Sequence, residues 1–185
     1  MSHTAIQRHQ WSREEYDRMI AAGVFHPEAR LELIDGEIIN MTPQGSLHVT
    51  TTRLAEDRLR LAFPEGHDIR TQMPLALDSS SEPEPDIAVV TGTLMDYRDA
   101  HPDTAALIIE VADSALNFDR QQKKRLYART GIQDYWIINL IDQQLEVYRD
   151  PQGDDYTQTQ TLKSGESITP LASPQSSIAI ADLLP

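Results

Sequence analysis

The chain has 185 residues, of which 39% are hydrophobic and 24% charged, with 8 glycines and 11 prolines. This composition is typical of a globular protein and excludes disordered, collagenous and repeat proteins. The absence of cysteine excludes disulfide frameworks, thiolate metal sites and cysteine nucleophiles. No apolar run approaches the roughly 20 residues that span a bilayer, and no secretory signal is visible, so we expect a cytoplasmic protein without membrane contact.

The charge balance limits how the chain can bind nucleic acid. It carries 16 Lys and Arg residues against 29 Asp and Glu residues, a formal net charge of −13. This sign disfavours general attraction to phosphates. Any nucleic-acid function must therefore be local, and carboxylates could serve it by binding divalent cations that bridge to phosphate.

The N-terminal residues 1–29 are predicted to form a helical extension. Ser12 and Glu15 make a capping box, and Gly23 ends the helix that they begin. The core is predicted to span 30–185. No long linker, internal repeat or low-complexity tract divides the chain, so all 185 residues are expected to form one domain.

A hairpin and an amphipathic helix are predicted next. Two short alternating runs, 31–34 and 37–41, flank the Asp35-Gly36 dipeptide, which favours a two-residue hairpin turn. From 46 to about 63, apolar residues recur with helical spacing. They predict an apolar stripe made of Leu47, Leu54, Ala55, Leu59, Leu61 and Ala62.

The rest of the chain alternates strands with one helix. Strands are predicted at 68–73, 75–77, 86–90, 105–111 and 134–139. A helix is predicted at about 119–130, ended by Gly131. A terminal hairpin pairs 144–148 with 156–162, and the last 20 residues are expected to form an extended strap. These elements predict an α/β fold in which a mixed sheet carries flanking helices and extra β-hairpins.

Two carboxylates are placed at the ends of predicted strands. Glu110 follows Ala-Leu-Ile-Ile, where an ionised side chain must be hydrogen-bonded, protonated or metal-bound unless the strand end is exposed. Asp86 opens a strand directly after Pro85, and could simply cap that strand. One carboxylate on each of two adjacent strands suits Mg²⁺, which takes one or two carboxylates and leaves its other positions for water and phosphate oxygens.

The predicted helix offers two lysines to this pair. Asp119, Lys123 and Tyr127 share one helix face, and Lys124 lies one step round. If Tyr127 packs inward, Lys123 should face the carboxylates and Lys124 should meet solvent. A lysine there could polarise a phosphate or orient an attacking water. The alternative is an exposed Asp119–Lys123 ion pair.

Three further residues are candidates for the same site. His48, at the start of the amphipathic helix, could be a metal ligand, a proton shuttle, a phosphate contact or a surface residue. Glu32 and Glu37 lie on the two arms of the predicted hairpin. Either could complete a metal shell or face water.

In order and spacing these residues resemble the Uma family of restriction-endonuclease-like proteins, which is placed in the PD-(D/E)XK nuclease superfamily. The resemblance spans about 30–185 and depends, in chain order, on Glu32 to Glu37, His48, Pro85-Asp86, Ile109-Glu110-Val111, Asp119, Lys123, Tyr127, Gly131 and Tyr135-Trp136. It implies a restriction-endonuclease-like core in which Asp86 and Glu110 hold Mg²⁺ or Mn²⁺. A lysine would then assist hydrolysis of a DNA phosphodiester.

The chain departs from the superfamily signature at two places. Ala112 stands where the parent motif has lysine, two residues beyond the acidic position, so the resemblance implies that Lys123 or Lys124 takes the basic role. Asn139 stands at a strand end where relatives usually carry aspartate.

Two functions are therefore open. The first is a Mg²⁺-dependent DNA endonuclease with a metal-activated water, expected as a homodimer because cleaving two strands needs two sites. The second is a catalytically inactive member of the same fold that binds or assembles. The net charge and Ala112 favour the second, whereas the retained carboxylates and helix lysine favour the first. A sugar or small-acid binder has only the aromatic residues in its favour.

Overall fold

The N-terminal helix packs against a short hairpin. The structure is a computed structural model that describes residues 8–63 and 65–185, so residues 1–7 of the predicted extension lie outside the described residues. Helix α1 (Arg13–Ala21) begins with the predicted capping box. The hairpin of β1 (Leu31–Ile34) and β2 (Glu37–Asn40) also forms as predicted. Tyr16 Oη donates to the carbonyl of the first hairpin residue at 3.0 Å, which joins the two elements.

A six-stranded sheet forms the centre of the fold. After helix α2 (Ser46–Ala62), its strands follow one another across the sheet as β3 (His67–Thr71), β4 (Ile87–Thr91), β5 (Leu107–Ala112), β6 (Asp134–Asn139), β7 (Gln144–Gln152) and β8 (Asp155–Lys163). Neighbouring strands are antiparallel except β5 and β6, which run parallel. The predicted mixed α/β sheet is therefore confirmed.

Helices cover both faces of the sheet. Ala55 and Leu59 of α2 pack on one face, in a cluster with residues of β4, β5 and β6. The parallel β5–β6 connection runs through α3 (Leu116–Phe118), a π-helical turn (Asp119–Lys123) and α4 (Lys124–Arg129), which pack on the other face. Because side chains alternate along a strand, each buried strand supplies both clusters.

The buried face of α2 differs from the prediction. Ala55, Leu59 and Ala62 are buried as expected, but Leu47 and Leu61 are 50% and 72% exposed. The inward face instead contains the polar side chains His48, Thr51 and Thr52 in its first turns. The leucine repeat is displaced by one helix position from this face, because the start of α2 borders a polar cavity rather than the apolar core.

Two other predicted segments differ from the observed backbone hydrogen bonding. Residues 75–77 form no strand, because the backbone N–H groups of Leu75 and Ala76 bond to two different segments, at Pro83 and Pro102. The C-terminal strap contains a short pair, β9 (Ser167–Ile168) with β10 (Ile178–Ala179). No helix in the described part of the chain is long and apolar enough to cross a bilayer.

A buried ionic network joins β7 to the π-helical turn. Both oxygens of Glu146 on β7 accept hydrogen bonds from Arg120, at 2.5 and 2.9 Å. Asn139 and Tyr148 donate to the same carboxylate at 2.8 Å each. Although burial opposes ionisation, these donors lower the pKa of Glu146 to about 2. Asn139 therefore has a structural partner at the position where an aspartate was expected.

We expect this network to determine part of the acid sensitivity of the fold. The Glu146 pKa lies below its ordinary value of 4.5, so its stabilisation is present above about pH 4.5 and is lost as the pH falls toward 2. Glu146→Gln should lower the free energy of unfolding at pH 7 by on the order of 2 kcal/mol. The difference in unfolding free energy between the variant and the wild type should be smaller at pH 3. Urea unfolding at both pH values measures it, with the exposed Asp99→Asn as control.

Candidate active site

A small polar cavity opens where β4 begins and β5 ends. It lies between these strands, the start of α2, the hairpin and the π-helical turn. Its lining contains six carboxylates, namely Glu32, Glu84, Asp86, Glu110, Asp113 and Asp119. Its basic groups are Arg30, His48 and Lys123. Carboxyl groups therefore outnumber basic groups in the cavity.

The register of β4 and β5 brings the two predicted carboxylates together. Ile87 pairs with Ile109, and the next residues along these antiparallel strands are Asp86 and Glu110. Both side chains line the cavity, and Glu110 Oε2 lies 3.3 Å from the backbone nitrogen of Asp86. The prediction that adjacent strands place these two carboxylates in one cleft is confirmed.

Asp86 is held as a carboxylate by four donors. Oδ2 accepts from the backbone N–H of Val111 at 2.9 Å and lies 3.1 Å from His48 Nε2. Oδ1 accepts from the side-chain amides of Gln44 and Gln72, each at 3.2 Å. Burial works to raise the pKa of Asp86, but the hydrogen bond and charge of His48 lower it below its ordinary value. Asp86 is therefore ionised at neutral pH.

Glu110 is more deeply buried and less easily ionised. Oε1 accepts from Tyr127 Oη at 2.7 Å and from Lys123 Nζ at 3.0 Å. Burial raises the pKa of Glu110 to about 8, although the lysine charge opposes the rise. The nearby carboxylates of Asp119 and Asp86 add to it. A further cation in the cavity would favour the ionised form.

Lys123 is the lysine that reaches the site. It is 1% exposed, and its Nζ lies 3.1 Å from Glu32 Oε2 as well as 3.0 Å from Glu110. Burial disfavours its charge, but these carboxylates raise the pKa of Lys123 well above its ordinary value. Lys124 points away, 2.8 Å from Asp155. The prediction that Lys123 faces the cleft is confirmed, whereas Lys124 lies outside the site.

The π-helical turn sets the position of Lys123. The backbone N–H of Lys124 bonds to the carbonyl of Asp119, five residues earlier. Asp119 and Lys123 are both buried in this turn and line the cavity. Burial raises the pKa of Asp119 to about 7, against the charge of Lys123. Departures of this kind from α-helical bonding are frequent at functional sites.

The two hairpin carboxylates take different places. Glu32 is buried in the cavity, where it contacts Lys123. Glu37 is exposed and does not line the cavity, so the structure separates it from the predicted metal site. The reason is that Glu37 adjoins the hairpin turn, and this turn bonds through Gly36 to Ser80 and Trp11 instead.

Sequence reasoning missed five charged or amide side chains of the site, namely Arg30, Gln44, Gln72, Glu84 and Asp113. Gln72 adopts a left-handed backbone (φ 53°) at the end of β3, and its N–H bonds to the carbonyls of Pro85 and Asp86. Together with Gln44 it fixes one oxygen of Asp86. Nothing local in the sequence signals either glutamine. Glu84 could have been found, because an extended proline-rich segment places residues two apart on one side.

The oxygen and nitrogen donors of the cavity suit some metal ions better than others. In residues 8–63 and 65–185, no three histidine, aspartate or glutamate side chains are arranged to hold a metal ion by themselves. Mg²⁺ needs only one or two carboxylates, with water and phosphate completing its shell. Asp86 is ionised, Glu110 is close by, and carboxyl groups outnumber basic groups in the cavity. These residues fit a hard divalent cation.

The described residues form a mixed sheet with paired carboxylates at one strand end and a buried lysine beside them. The chain belongs to the Uma2 family, whose model is described as "Putative restriction endonuclease" and matches residues 13–181. This confirms the resemblance and extends it into α1, beyond the predicted start near residue 30. A comparison with curated proteins finds no match.

A solved structure shares the fold. It is a crystal structure of a "putative nuclease belonging to DUF820" from Anabaena variabilis ATCC 29413, with a TM-score of 0.71 and 19% sequence identity. The match covers 93% of this chain and 96% of that one. At this identity the similarity establishes the arrangement of the helices and strands. The chemistry has to be inferred from the side chains of the cavity.

The two lysines should differ sharply in their effect on stability. Lys123→Met removes the cation from buried carboxylates and should cost about 3 kcal/mol of unfolding free energy. Lys124→Met removes a partly exposed ion pair and should cost less than about 1 kcal/mol. Urea unfolding of the two matched variants at pH 7 measures the difference. Equal losses would contradict the burial of Lys123.

Proposed function

We propose that this chain is a metal-dependent DNA endonuclease that hydrolyses phosphodiester bonds. The observation that carries the proposal is the convergence of Asp86 and Glu110 on one cavity, with Lys123 bonded to Glu110. Membership of a family described as putative restriction endonucleases supports it, as does the fold shared with a protein described as a putative nuclease.

In this proposal Asp86 and Glu110 would hold Mg²⁺ or Mn²⁺. When bound, such an ion supplies an activated water and stabilises charge on the phosphate. Lys123 holds Glu110 in place and offers positive charge toward the phosphate. His48 carries a proton on Nε2 against Asp86, because that hydrogen bond and charge raise the pKa of His48 despite its burial.

Three neighbouring residues act through these four. Tyr127 orients Glu110 through its 2.7 Å hydrogen bond. Glu32 shares the lysine with Glu110 and so fixes the ammonium group between two carboxylates. Asp119 adds negative charge within the π-helical turn. In this assignment Glu32, Asp119 and Tyr127 are positioning residues.

A second candidate is a catalytically inactive binding or assembly protein on the same fold. Ala112 is uncharged at the position where the superfamily motif has lysine, and Lys123 is already contacted by two carboxylates. The net charge of −13 also weakens general attraction to DNA. Loss of cleavage by the wild-type chain in the assay below would favour this candidate.

We expect the wild-type chain to nick or linearise supercoiled plasmid with Mg²⁺ or Mn²⁺, and to be inactive with EDTA. Asp86→Asn and Glu110→Gln should each lower the rate at least about 100-fold, because each removes a carboxylate that holds the ion. Lys124→Met should keep near wild-type activity, since Lys124 points away from the cavity. Circular dichroism checks that all variants are folded.

Metal binding can be tested without turnover. Isothermal titration with Mn²⁺ should give one site per chain in the wild type, and Asp86→Asn should weaken it at least about tenfold by removing an ionised ligand. Glu37→Gln is the matched control, because Glu37 lies outside the cavity. Equal weakening by Glu37→Gln would count against the assignment, whereas tight binding without cleavage would favour the inactive candidate.

A homodimer completes the proposal. Each chain contributes one such cavity in its described part, and cleavage of both DNA strands needs two. A twofold pair is the commonest soluble assembly. Light scattering on the purified chain of 20.9 kDa distinguishes a monomer from a dimer directly.

A further inference from the structure

The strand β8 leaves one edge of the central sheet open. Among the described residues it is the last strand of the sheet, paired only with β7, and at nine residues it is long for an edge strand. Five consecutive residues, 157–161, are exposed and uncharged. Natural edges are usually protected by charge, proline, bulges or short length. The middle of β8 has none of these.

The opposite edge shows the contrast. Strand β3 has five residues and carries charge at Asp68 and Arg70. The side chain of Arg60 also donates to the carbonyl of Ile69 at 3.3 Å, which occupies part of that edge. Within residues 8–63 and 65–185, one edge of the sheet is therefore protected, and the other presents backbone groups that no neighbouring strand pairs.

The sequence of β8 is complementary to itself in antiparallel register. Its central residues, Thr-Gln-Thr-Gln-Thr at 157–161, read the same in both directions. Pairing about a twofold axis at Thr159 sets threonine opposite threonine and glutamine opposite glutamine, and cross-strand Thr pairs are favourable. The same register sets Asp155 opposite Lys163 at both ends. Asp155 is 69% exposed, so it can receive a second cation besides Lys124.

We propose that two copies of this chain pair through β8 in antiparallel register about Thr159, so that their sheets join into one twelve-stranded sheet. The partner is a second copy because both the polar centre and the charged ends of β8 complement themselves. This pairing also matches the closed twofold symmetry of most soluble dimers. It goes beyond the proposed hydrolysis and does not depend on it.

The pairing leaves the cavity accessible. Asp86 and Glu110 belong to β4 and β5, and β6 and β7 separate them from β8. Strands are about 4.8 Å apart, so the two cavities lie well away from the axis on opposite sides of it. A dimer formed this way can therefore carry two open cavities.

Sedimentation equilibrium from micromolar to near-millimolar concentration tests the assembly. The wild type should reach twice the mass of 20.9 kDa. Thr159→Lys places two ammonium groups face to face at the axis and should weaken dimerisation at least about tenfold. Thr104→Lys is the control, because it adds the same charge at an exposed loop position. Circular dichroism checks folding. A monomeric wild type, or equal dimerisation of Thr159→Lys, would overturn the proposal.

Disulfide trapping tests the register, since the chain has no cysteine of its own. In Thr159→Cys the two thiols lie opposite each other at the axis, about 4.5–5.5 Å apart between Cβ atoms, and mild oxidation should link the dimer. In Thr157→Cys the two thiols lie about 14 Å apart along the strands and should stay free. Equal linking of both variants, or of neither, would contradict this register. Neither the sedimentation nor the disulfide experiment depends on plasmid cleavage.

Discussion

The interaction on which this site depends is the ion cluster around Glu110. A carboxylate enclosed by Lys123, Tyr127 and the backbone of Asp86 cannot leave its place without leaving a buried charge unpaired. Three separate parts of the fold meet there: the antiparallel β4–β5 register, the π-helical turn and the hairpin that brings Glu32. Each must form for the cluster to be neutralised.

Such clusters rarely stabilise a fold on balance. Removing two or more ions from water costs several kcal/mol each, and their attraction only partly offsets that cost. The pKa values of Glu110 and Asp119, raised to about 8 and about 7, show that burial disfavours the ionised form of both side chains. An apolar core of similar volume would be at least as stable. The number of carboxyl groups in this cavity is therefore not explained by stability alone.

Most of the fold could be predicted from the sequence, because the buried strands are apolar and bounded by clear turn residues. Asp86, Glu110 and Lys123 could also be placed, since strand ends and helix faces follow from local periodicity. The buried face of α2 could not, because its leucines and its threonines both fit helical spacing and only the position of the cavity decides between them. Gln72 could not either, because its contact with Asp86 depends on a left-handed backbone and on the β3–β4 pairing.

The π-helical turn has a consequence for how this chain tolerates a change in length. A helix that bonds five residues back carries one residue more than a regular helix over the same rise. Deleting a single residue between Asp119 and Lys123 would restore regular bonding without turning α4 relative to α3, because the wide turn already takes up the extra residue. The chain would gain a more regular helix, and the buried pair Asp119 and Lys123 would be three residues apart instead of four. In this segment, therefore, insertion and deletion matter as much as substitution.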